Sequence, residues 1–566
     1  MVQSGPLMWN ALARTLRRLR RARRRIATVA IGAVVAALVA ATWGIGTASA
    51  VAPLGPHEAR YEVTMTGVVV VDFGPLGTLR VDSPLPARLG LRIAVGEIPA
   101  GVTEIDPSNA LGALSADAQR YVQFFADPQT SLDVAARALV HDAIVRAVLA
   151  WFVLMATPWL LGALLGRGRR RELAEAVRPH LPRAVVLVVG AVAGVLSLTA
   201  SGPAPFPTPR GGEVATVFDS TPLAGARITG RLASVIDTYG RYAVKAYRDN
   251  QDFYARAEAS FEDAWQVRAA VLPYGSAAAS RSGRGPVTLL MVSDLHCNTG
   301  MVALIRRAAQ LSGASIIVNA GDSTIDGTAV ESACVDAFAR AAPAGVRTVV
   351  VDGNHDSELT SEQERAAGDE VLTGKPTTID GITFLGAPDP RATRIGAGTT
   401  QVGTETPVEL ADRLATTACA EGHVDVLLIH DPSIGTETLD RGCASLQLSG
   451  HLHQRIGPVK VGHGVEYVNA STAGAVDGQP TIGPLHGIAE MTVLRFDPKT
   501  HQGLDRLFIR VFPDGHAEVG YPFYLPAAEL GAQETASPTG SAQVSGAPSS
   551  TGAPAVTGQP SPTVVP

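Results

Sequence analysis

Five apolar runs in the second half of the chain each end abruptly at polar residues. The first run begins at Val287, just after Gly285 and Pro286, and the other four occupy residues 315–318, 347–351, 424–429 and 445–448. A short apolar run bounded by turn residues is typical of a strand that is buried on both faces. The pattern therefore predicts five parallel strands within an α/β domain.

The residues that follow these strands carry carboxylate, amide and imidazole side chains. In chain order they are Asp294, His296, Asp322, Asn354, His355, His430, His451 and His453. Because ligands bind at the carboxyl ends of strands in open α/β sheets, we expect these side chains to share one site. A single Asp-x-His pair is equally well explained by a turn residue beside a surface histidine, but chance does not explain five strand ends in succession.

Further β-rich segments predict that this domain contains more than one sheet. They include residues 381–386, 465–469 and 491–496, and a hairpin around Pro513, Asp514 and Gly515. Together with the five buried strands, they fit a sandwich of two sheets that is covered by outer helices.

The polar blocks resemble the signature of the calcineurin-like metallophosphoesterases. In order, this chain has Asp-x-His, Gly-Asp, Gly-Asn-His-Asp, a later His, and Gly-His-x-His. The resemblance extends from about Pro286 to Tyr524. It implies an αββα sandwich, which we place at residues 286–526, and a dinuclear metal centre.

The resemblance also assigns the ligands to two metal ions. One ion would be held by Asp294, His296 and His453. The other would be held by Asn354, His430 and His451. Asp322 would bridge the two ions.

Three further residues are candidates for contact with the substrate. By the resemblance, His355 would face the substrate phosphate rather than bind a metal. Arg391 and Arg394 follow a predicted strand that ends at Gly386, and they are candidate contacts to an anionic group. A solvated loop is the simpler interpretation of these two arginines.

The chemistry of this ligand set favours phosphate ester hydrolysis. Two cations about 3.5 to 4 Å apart clamp a phosphoryl group, offset its charge and acidify a bridging water into hydroxide. A mixed nitrogen and oxygen set without thiolates favours Mn, Fe or Zn over Mg or Ca. We therefore expect a phosphoric ester hydrolase that acts on mono- or diesters by attack of a metal-bridged hydroxide.

The N-terminal region combines a basic arm with an apolar stretch. Residues 1–25 include eight arginines between Arg14 and Arg25, a run that would suit a nucleic-acid patch, a solvated arm or a cytoplasmic membrane flank. The uncharged stretch at residues 26–44 is long enough to span a bilayer core of about 30 Å, which favours the membrane flank. Ala48, Ser49 and Ala50 have the form of a signal-peptidase site, but the length of the stretch favours an uncleaved anchor.

Two more apolar stretches, at residues 147–166 and 184–200, predict a membrane protein with three spans. The loop between them, at residues 167–183, is basic and should be cytoplasmic by the positive-inside bias. The amino terminus and this loop would then lie inside. The segment 51–141 and everything after residue 200 would lie outside, including the catalytic domain.

The remaining segments are soluble in this scheme. Residues 51–141 contain β-branched runs separated by Pro and Gly, which predict a small β-rich extracytoplasmic insert. Residues 201–285 show charged, helical spacing and predict a helical stalk or support for the catalytic domain, followed by a linker. Residues 533–566 are rich in Ser, Pro, Thr, Gly and Ala and predict a disordered tail.

Composition and missing motifs exclude several other functions. The net charge of –5 gives no sign of bulk nucleic-acid binding. The sequence has no G-x-S-x-G elbow, no P-loop and no dinucleotide fingerprint. The alternative that stays open is a catalytically weak, membrane-tethered scaffold that retains the fold.

The four cysteines all lie in the domain that we place outside, where disulfides persist. Cys297 and Cys334 follow strands on the metal edge of the sheet. Cys419 and Cys443 precede strands and belong to the opposite edge. This separation predicts the pairs 297–334 and 419–443, with four free thiols as the alternative.

Overall fold

The computed structural model describes residues 5–96, 128–164, 168–169, 172, 212–219, 221, 223–269, 285–394, 398–476, 481 and 483–529. The predicted span at 184–200 and the predicted tail at 533–566 lie outside these residues. Most of the predicted basic loop at 167–183 also lies outside them.

Two long helices dominate the N-terminal part, α1 (Gly5–Gly46) and α2 (Pro128–Leu164). Each contains a window that is long and apolar enough to cross a membrane, Val29–Gly46 in α1 and Ser131–Leu160 in α2. The stretches predicted at 26–44 and 147–166 fall on these helices, except for the last two residues of the second. The helices contact each other, and the Trp151 indole donates a hydrogen bond to the Ala33 carbonyl at 3.1 Å.

A seven-stranded sheet follows α1 directly. Its strands are β1 (Ser49–Leu54), β2 (His57–Thr64), β3 (Val68–Asp72), β4 (Thr78–Asp82), β5 (Gly90–Val95), β6 (Glu213–Val214) and β7 (Arg227–Ile228), in the order β1-β2-β5-β3-β4-β7-β6. Helix α2 packs on this sheet through buried Ala135, and its Asp142 accepts a hydrogen bond from the Ser49 amide at 2.9 Å. The β-rich prediction at 51–141 did not anticipate β6 and β7, which lie far along the chain.

Helix α3 (Leu232–Ala269) links this sheet to the domain that follows. Its first turns pack with Leu79 and Ile228 of the seven-stranded sheet. Its second half buries Phe253, Tyr254, Ala257, Phe261 and Trp265 in the core of the following domain. The helix predicted as a stalk or support is therefore also a part of that domain's hydrophobic core.

The domain that begins at β8 contains two large sheets. The first is ordered β11-β10-β9-β8-β20-β21-β22, with β23 also paired to β21, and its strands are β8 (Val287–Val292), β9 (Ile316–Asn319), β10 (Arg347–Val350), β11 (Glu370–Val371), β20 (Ala489–Asp497), β21 (Gln502–Val511), β22 (Ala517–Val519) and β23 (Phe523–Tyr524). The second is ordered β12-β13-β16-β17-β19-β18, and its strands are β12 (Thr377–Ile379), β13 (Ile382–Leu385), β16 (Val424–Leu428), β17 (Ala444–Ser449), β18 (Ile456–Val461) and β19 (Gly464–Val468).

Smaller elements complete this domain. Its other helices are α4 (Met301–Ser312), α5 (Ser332–Ala339), α6 (Glu358–Ala367), α7 (Pro407–Ala420) and α8 (Thr436–Asp440). Strands β14 (Arg391–Arg394) and β15 (Gly398–Gln401) form a separate antiparallel pair.

The layers follow from the alternation of side chains along the buried strands. In β8, Leu289 and Met291 face the second sheet, whereas Leu290 and Val292 face helices α3 and α4. The outer face of the second sheet packs against α7 and α8 through a third cluster that includes Leu427. The result is a helix–sheet–sheet–helix arrangement of mixed sheets, consistent with a metallophosphoesterase fold.

All five strands that the apolar runs predicted are present as β8, β9, β10, β16 and β17. Strands β8, β9 and β10 are parallel neighbours in the first sheet, and β16 and β17 are parallel neighbours in the second. Their carboxyl ends therefore bring the polar residues to one edge of the sandwich.

Both predicted disulfides are present. Cys297 pairs with Cys334 and Cys419 pairs with Cys443, with Cα–Cα distances of 5.1 and 5.0 Å. The pairing follows the two edges of the sheets, which confirms the prediction and rejects the alternative of four free thiols.

Candidate metal centre

The backbone turns sharply where the polar residues leave their strands. Asp294, His296, Asp322, His451 and His453 all have positive φ, between 40° and 71°. Non-glycine residues with this conformation are uncommon, and such strain tends to cluster at functional sites. Here the turns direct side chains from separate strands toward one point.

Two motif positions require glycine because neighbouring atoms leave no room for a side chain, not because the backbone has a positive φ. A Cβ at Gly353 would lie 2.1 Å from the Asp322 carboxylate, and a Cβ at Gly450 would lie 2.7 Å from the Asp294 carboxylate. Any side chain at either position would displace a carboxylate. The motif glycines therefore allow the loops to pack against the candidate ligands.

The first group of candidate ligands consists of Asp294, His296 and His453. Their donor atoms lie within 4.8 Å of one another. The Nε2 atoms of the two histidines face each other at 3.2 Å, and the Nε2 of His453 is 3.6 Å from a carboxylate oxygen of Asp294. Burial lowers the pKa of His296 to about 3, so its ring is neutral and suited to donate a lone pair.

The second group consists of Asp322, His430 and His451, whose donor atoms meet the same distance limit. The Nε2 of His430 lies 3.1 Å from Asp322 Oδ2 and 3.2 Å from the Nδ1 of His451. The Nδ1 of His430 is 2.7 Å from the Ala320 carbonyl, which holds the ring in place and leaves Nε2 toward the site.

The charges of this group favour a cation between its members. Burial opposes an imidazolium at His430, but the Asp322 and Asp294 carboxylates outweigh it and raise the pKa of His430 to about 10. Burial likewise opposes ionisation of Asp322, yet the nearby histidines lower the pKa of that carboxyl. A positive charge between Asp322 and His430 is therefore strongly stabilised, and either a proton or a metal ion supplies it.

Two buried oxygen atoms show that the donor set fits metal ions. Asp294 Oδ2 and Asn354 Oδ1 are buried, and neither has a hydrogen-bond partner within the described parts of the chain. The second terminal atom of each side chain has a partner. Asp294 Oδ1 accepts a hydrogen bond from the His451 backbone amide, and Asn354 Nδ2 donates one to the Thr393 hydroxyl. A buried oxygen without a partner costs free energy, which a coordinated cation would offset.

His355 lies beside both groups and has one ring nitrogen engaged by the protein. Its Nδ1 is 2.6 Å from the Ile325 carbonyl, and its backbone amide donates to Asp322 Oδ1 at 2.9 Å. Its ring packs edge-on against His296, with centroids 4.9 Å apart. A donor atom of His355 also falls within 4.8 Å of donor atoms of His296 and Asp322. The geometry therefore brings His355 to the site, either as a substrate contact or as a ligand.

Both candidate arginines lie in strand β14, and protein groups hold their side chains. Arg391 forms ion pairs with Asp389 and Asp431, at 2.7 and 2.5 Å. Arg394 donates to four main-chain carbonyls, three of which belong to residues 354–356. Both residues are partly buried in a strand rather than placed in a solvated loop, and their contact with a substrate anion stays a prediction.

Sequence reasoning missed the groups that orient the candidate ligands. They include the carbonyls of Ala320 and Ile325, the hydroxyl of Thr393, and the guanidinium of Arg394. Backbone carbonyls have no sequence signature, and Thr393 belongs to no motif. One signal was available, because Arg394, a candidate substrate contact by its position, lies beside the loop of the candidate ligands.

Comparisons with known proteins agree with the motifs. Residues 287–455 match the family model described as calcineurin-like phosphoesterase, which confirms the resemblance for that segment. A comparison with curated proteins finds no match.

Two solved structures are similar to parts of the chain. One is the NAD nucleotidase NadN of Haemophilus influenzae, with 14% identity over 44% of this chain and 54% of that chain, and a TM-score of 0.24. The other is Vps29 of Chaetomium thermophilum, with 14% identity over 42% of this chain and 100% of that chain, and a TM-score of 0.23.

Proposed function

We propose, from the premise that residues 287–455 are a calcineurin-like phosphoesterase domain, that this protein is a membrane-anchored hydrolase of phosphate mono- or diesters with two metal ions and an extracytoplasmic active site. The observation that carries the proposal is the convergence of six Asp and His candidate ligands from four strand ends. The unpartnered oxygen of Asn354 supports a seventh ligand.

The two groups of donors support the division of ligands between two ions. Asp294, His296 and His453 form one group, and Asp322, His430 and His451 form the other. Asp322 also belongs to a group with His296, so its carboxylate faces ligands of both ions. We assign Asp322 as the bridge and Asn354 as a ligand of the second ion.

The metal ions, when bound, would neutralise the phosphate and acidify a water molecule, and Mn, Fe or Zn suit this donor set. The chain itself would orient the substrate. The Nε2 of His355, which has no hydrogen-bond partner among the described residues, lies beside the groups, where it can donate a hydrogen bond or a proton to an ester oxygen.

Hydrolysis can be tested on the full-length, detergent-solubilised protein. We expect turnover of aryl phosphate mono- or diesters that is lost with a chelator and restored by Mn²⁺ or Zn²⁺. The panel should contain p-nitrophenyl phosphate, bis(p-nitrophenyl) phosphate and phosphate esters of lipids. If a preparation with bound metal hydrolyses none of these esters, the scaffold alternative replaces the proposed activity.

Several features support the membrane anchor. Helix α2 exposes a series of large apolar side chains, which include Val140, Ile144, Val148, Leu149, Phe152, Val153, Trp159 and Leu160. Exposed apolar surface of this extent is suited to a lipid environment.

The pairing of strands in the seven-stranded sheet supports an even number of membrane crossings by the chain between β5 and β7. Strand β4 pairs with β7, with Leu79 opposite Ile228, so both strands must lie on the same side of any membrane. If α2 crosses once, the chain must return before residue 212. The predicted span at 184–200 would provide this return.

The disulfides support the same orientation. Both lie in the catalytic domain, and stable disulfides are typical of extracytoplasmic compartments. This agrees with the side that the basic segments predict.

The topology leads to a prediction about reporter fusions. A reporter enzyme that functions only in the cytoplasm should be inactive when fused after Pro526 and active when inserted into the basic loop at 167–183. The two fusions should be produced in equal amounts, which immunoblotting checks. Activity of the fusion after Pro526 would contradict the extracytoplasmic placement.

A further inference from the structure

The hairpin of β14 and β15 lies against the loop that carries Asn354. The amide of Thr393 in β14 donates to the Asn354 carbonyl at 2.7 Å. Thr393 is paired with Thr399 across the hairpin. The hairpin and the ligand loop are thus joined through the main chain, although about 40 residues separate them.

Thr393 also engages the side chain of Asn354. Asn354 Nδ2 donates to the Thr393 hydroxyl at 2.7 Å, while Asn354 Oδ1 stays buried without a hydrogen-bond partner among the described residues. An amide can bind a metal ion through its oxygen, but its NH₂ group has no lone pair to offer. The acceptor at Thr393 therefore decides which end of the amide faces the site.

The hydroxyl of Thr393 is itself oriented by the hairpin. Its oxygen lies 2.8 Å from the hydroxyl oxygen of Thr399, which can accept its hydrogen. The lone pairs of Thr393 then stay available to the NH₂ group of Asn354. The result is a directional chain from Asn354 through Thr393 to Thr399.

Arg394 holds the backbone of the same loop. Its Nη1 donates to the carbonyls of Asn354 and His355 at 3.2 and 3.1 Å, and its Nη2 donates to the carbonyl of Asp356 at 2.9 Å. Three successive carbonyls are therefore fixed by one guanidinium. This limits the movement of the loop from which Asn354 and His355 project.

We propose that Thr393 is a positioning residue of the metal centre, which holds the Asn354 amide with its oxygen toward the metal ion. The inference rests on the proposed function, because it requires Asn354 to be a ligand. Arg394 supports this role by fixing the loop. Groups that orient ligands in this way typically contribute 10- to 100-fold to metal affinity.

The test measures metal affinity by calorimetry on the full-length, chelator-treated protein, titrated with Mn²⁺ or Zn²⁺ alone. Thr393→Val keeps the shape of the side chain but removes the acceptor, and we expect affinity at one of two sites to fall roughly 10- to 100-fold. Thr393→Ser should restore it. Thr400→Val, an exposed change on the same hairpin, serves as the matched control and should bind metal like the wild type.

A double-mutant cycle separates amide orientation from general damage. In Asn354→Asp both ends of the side chain are oxygen atoms, so orientation no longer matters. Adding Thr393→Val to Asn354→Asp should then change affinity less than about threefold, since the two residues no longer act together. The unfolding midpoint of each metal-free variant checks that the fold is retained.

Each outcome distinguishes the two proposals. If the wild type binds neither metal, the proposed function fails. If the wild type binds metal and Thr393→Val binds it equally well, only the positioning role is overturned. An equal loss of affinity on adding Thr393→Val to Asn354→Asp would also overturn it, because the effect would then be independent of the amide.

Discussion

Asp322→Ala is expected to abolish hydrolysis and to lower the metal content of the protein by at least one ion. Asp322 Oδ2 lies 3.1 Å from the Nε2 of His430 and 3.8 Å from the Nε2 of His296, so it faces both groups of candidate ligands. A carboxylate has two oxygens and can serve two cations at once. Among the described residues, no other carboxylate is grouped both with His296 and with His430, so no neighbour can replace Asp322.

Elemental analysis and turnover should be measured on the same preparation of Asp322→Ala. Asp412→Ala is a suitable control, because it removes an exposed carboxylate that pairs with Arg441 on the surface. The control should keep both metal content and rate. A variant at Asp322 that retains two metal ions and its activity would refute the bridging role and the division of ligands that depends on it.

Much of the site was predictable because parallel strands impose a shared edge. An apolar run identifies a buried strand without knowledge of its partners, and its last residue identifies the edge. Asp294, Asp322 and His430 follow three such runs, and the structure brings them together. The disulfides were predictable for the same reason, since Cys297 and Cys419 lie on opposite edges.

The orienting groups could not be predicted, because they act across large sequence separations. The contact of Thr393 with Asn354 spans 39 residues, and that of His430 with the Ala320 carbonyl spans 110. Neither contact leaves a local pattern of hydrophobic and polar positions. A threonine in a short hairpin is ordinary on sequence grounds, and its importance depends on the tertiary fold.

Two further features of the fold could not be predicted from the sequence, namely strands β6 and β7 and the packing of helix α3. Strands β6 and β7 contain two residues each, which is too short for a periodic pattern. The helical spacing of apolar residues predicted helix α3, but this pattern does not identify the residues against which the apolar face packs. In the structure Phe261 is fully buried beneath the first sheet, and Tyr254 donates to Asn298 in the loop that follows His296.

The second large effect is expected on substitution of His355, which should lower turnover without lowering metal binding. His355→Ala should keep both metal ions and the fold, and it should slow turnover by roughly 10² to 10⁴-fold, the range typical of general acid catalysis. The reason is the orientation of its ring. Nδ1 is directed to the Ile325 carbonyl at 2.6 Å, so Nε2 is the nitrogen that can serve an ester oxygen.

The dependence on the leaving group tests this role most sharply. A proton donor matters most when the departing oxygen is strongly basic, so His355→Ala should lose more activity on alkyl and weakly acidic aryl esters than on p-nitrophenyl esters. The rates should be compared across such a series, with metal content measured on the same preparation. A metal-depleted variant would show that His355 is a ligand, as its distance to His296 and Asp322 allows. A metal-loaded variant with full activity on poor leaving groups would instead refute the proton-donor role, because loss of the His355 Nε2 would then leave unchanged the step that most needs a proton.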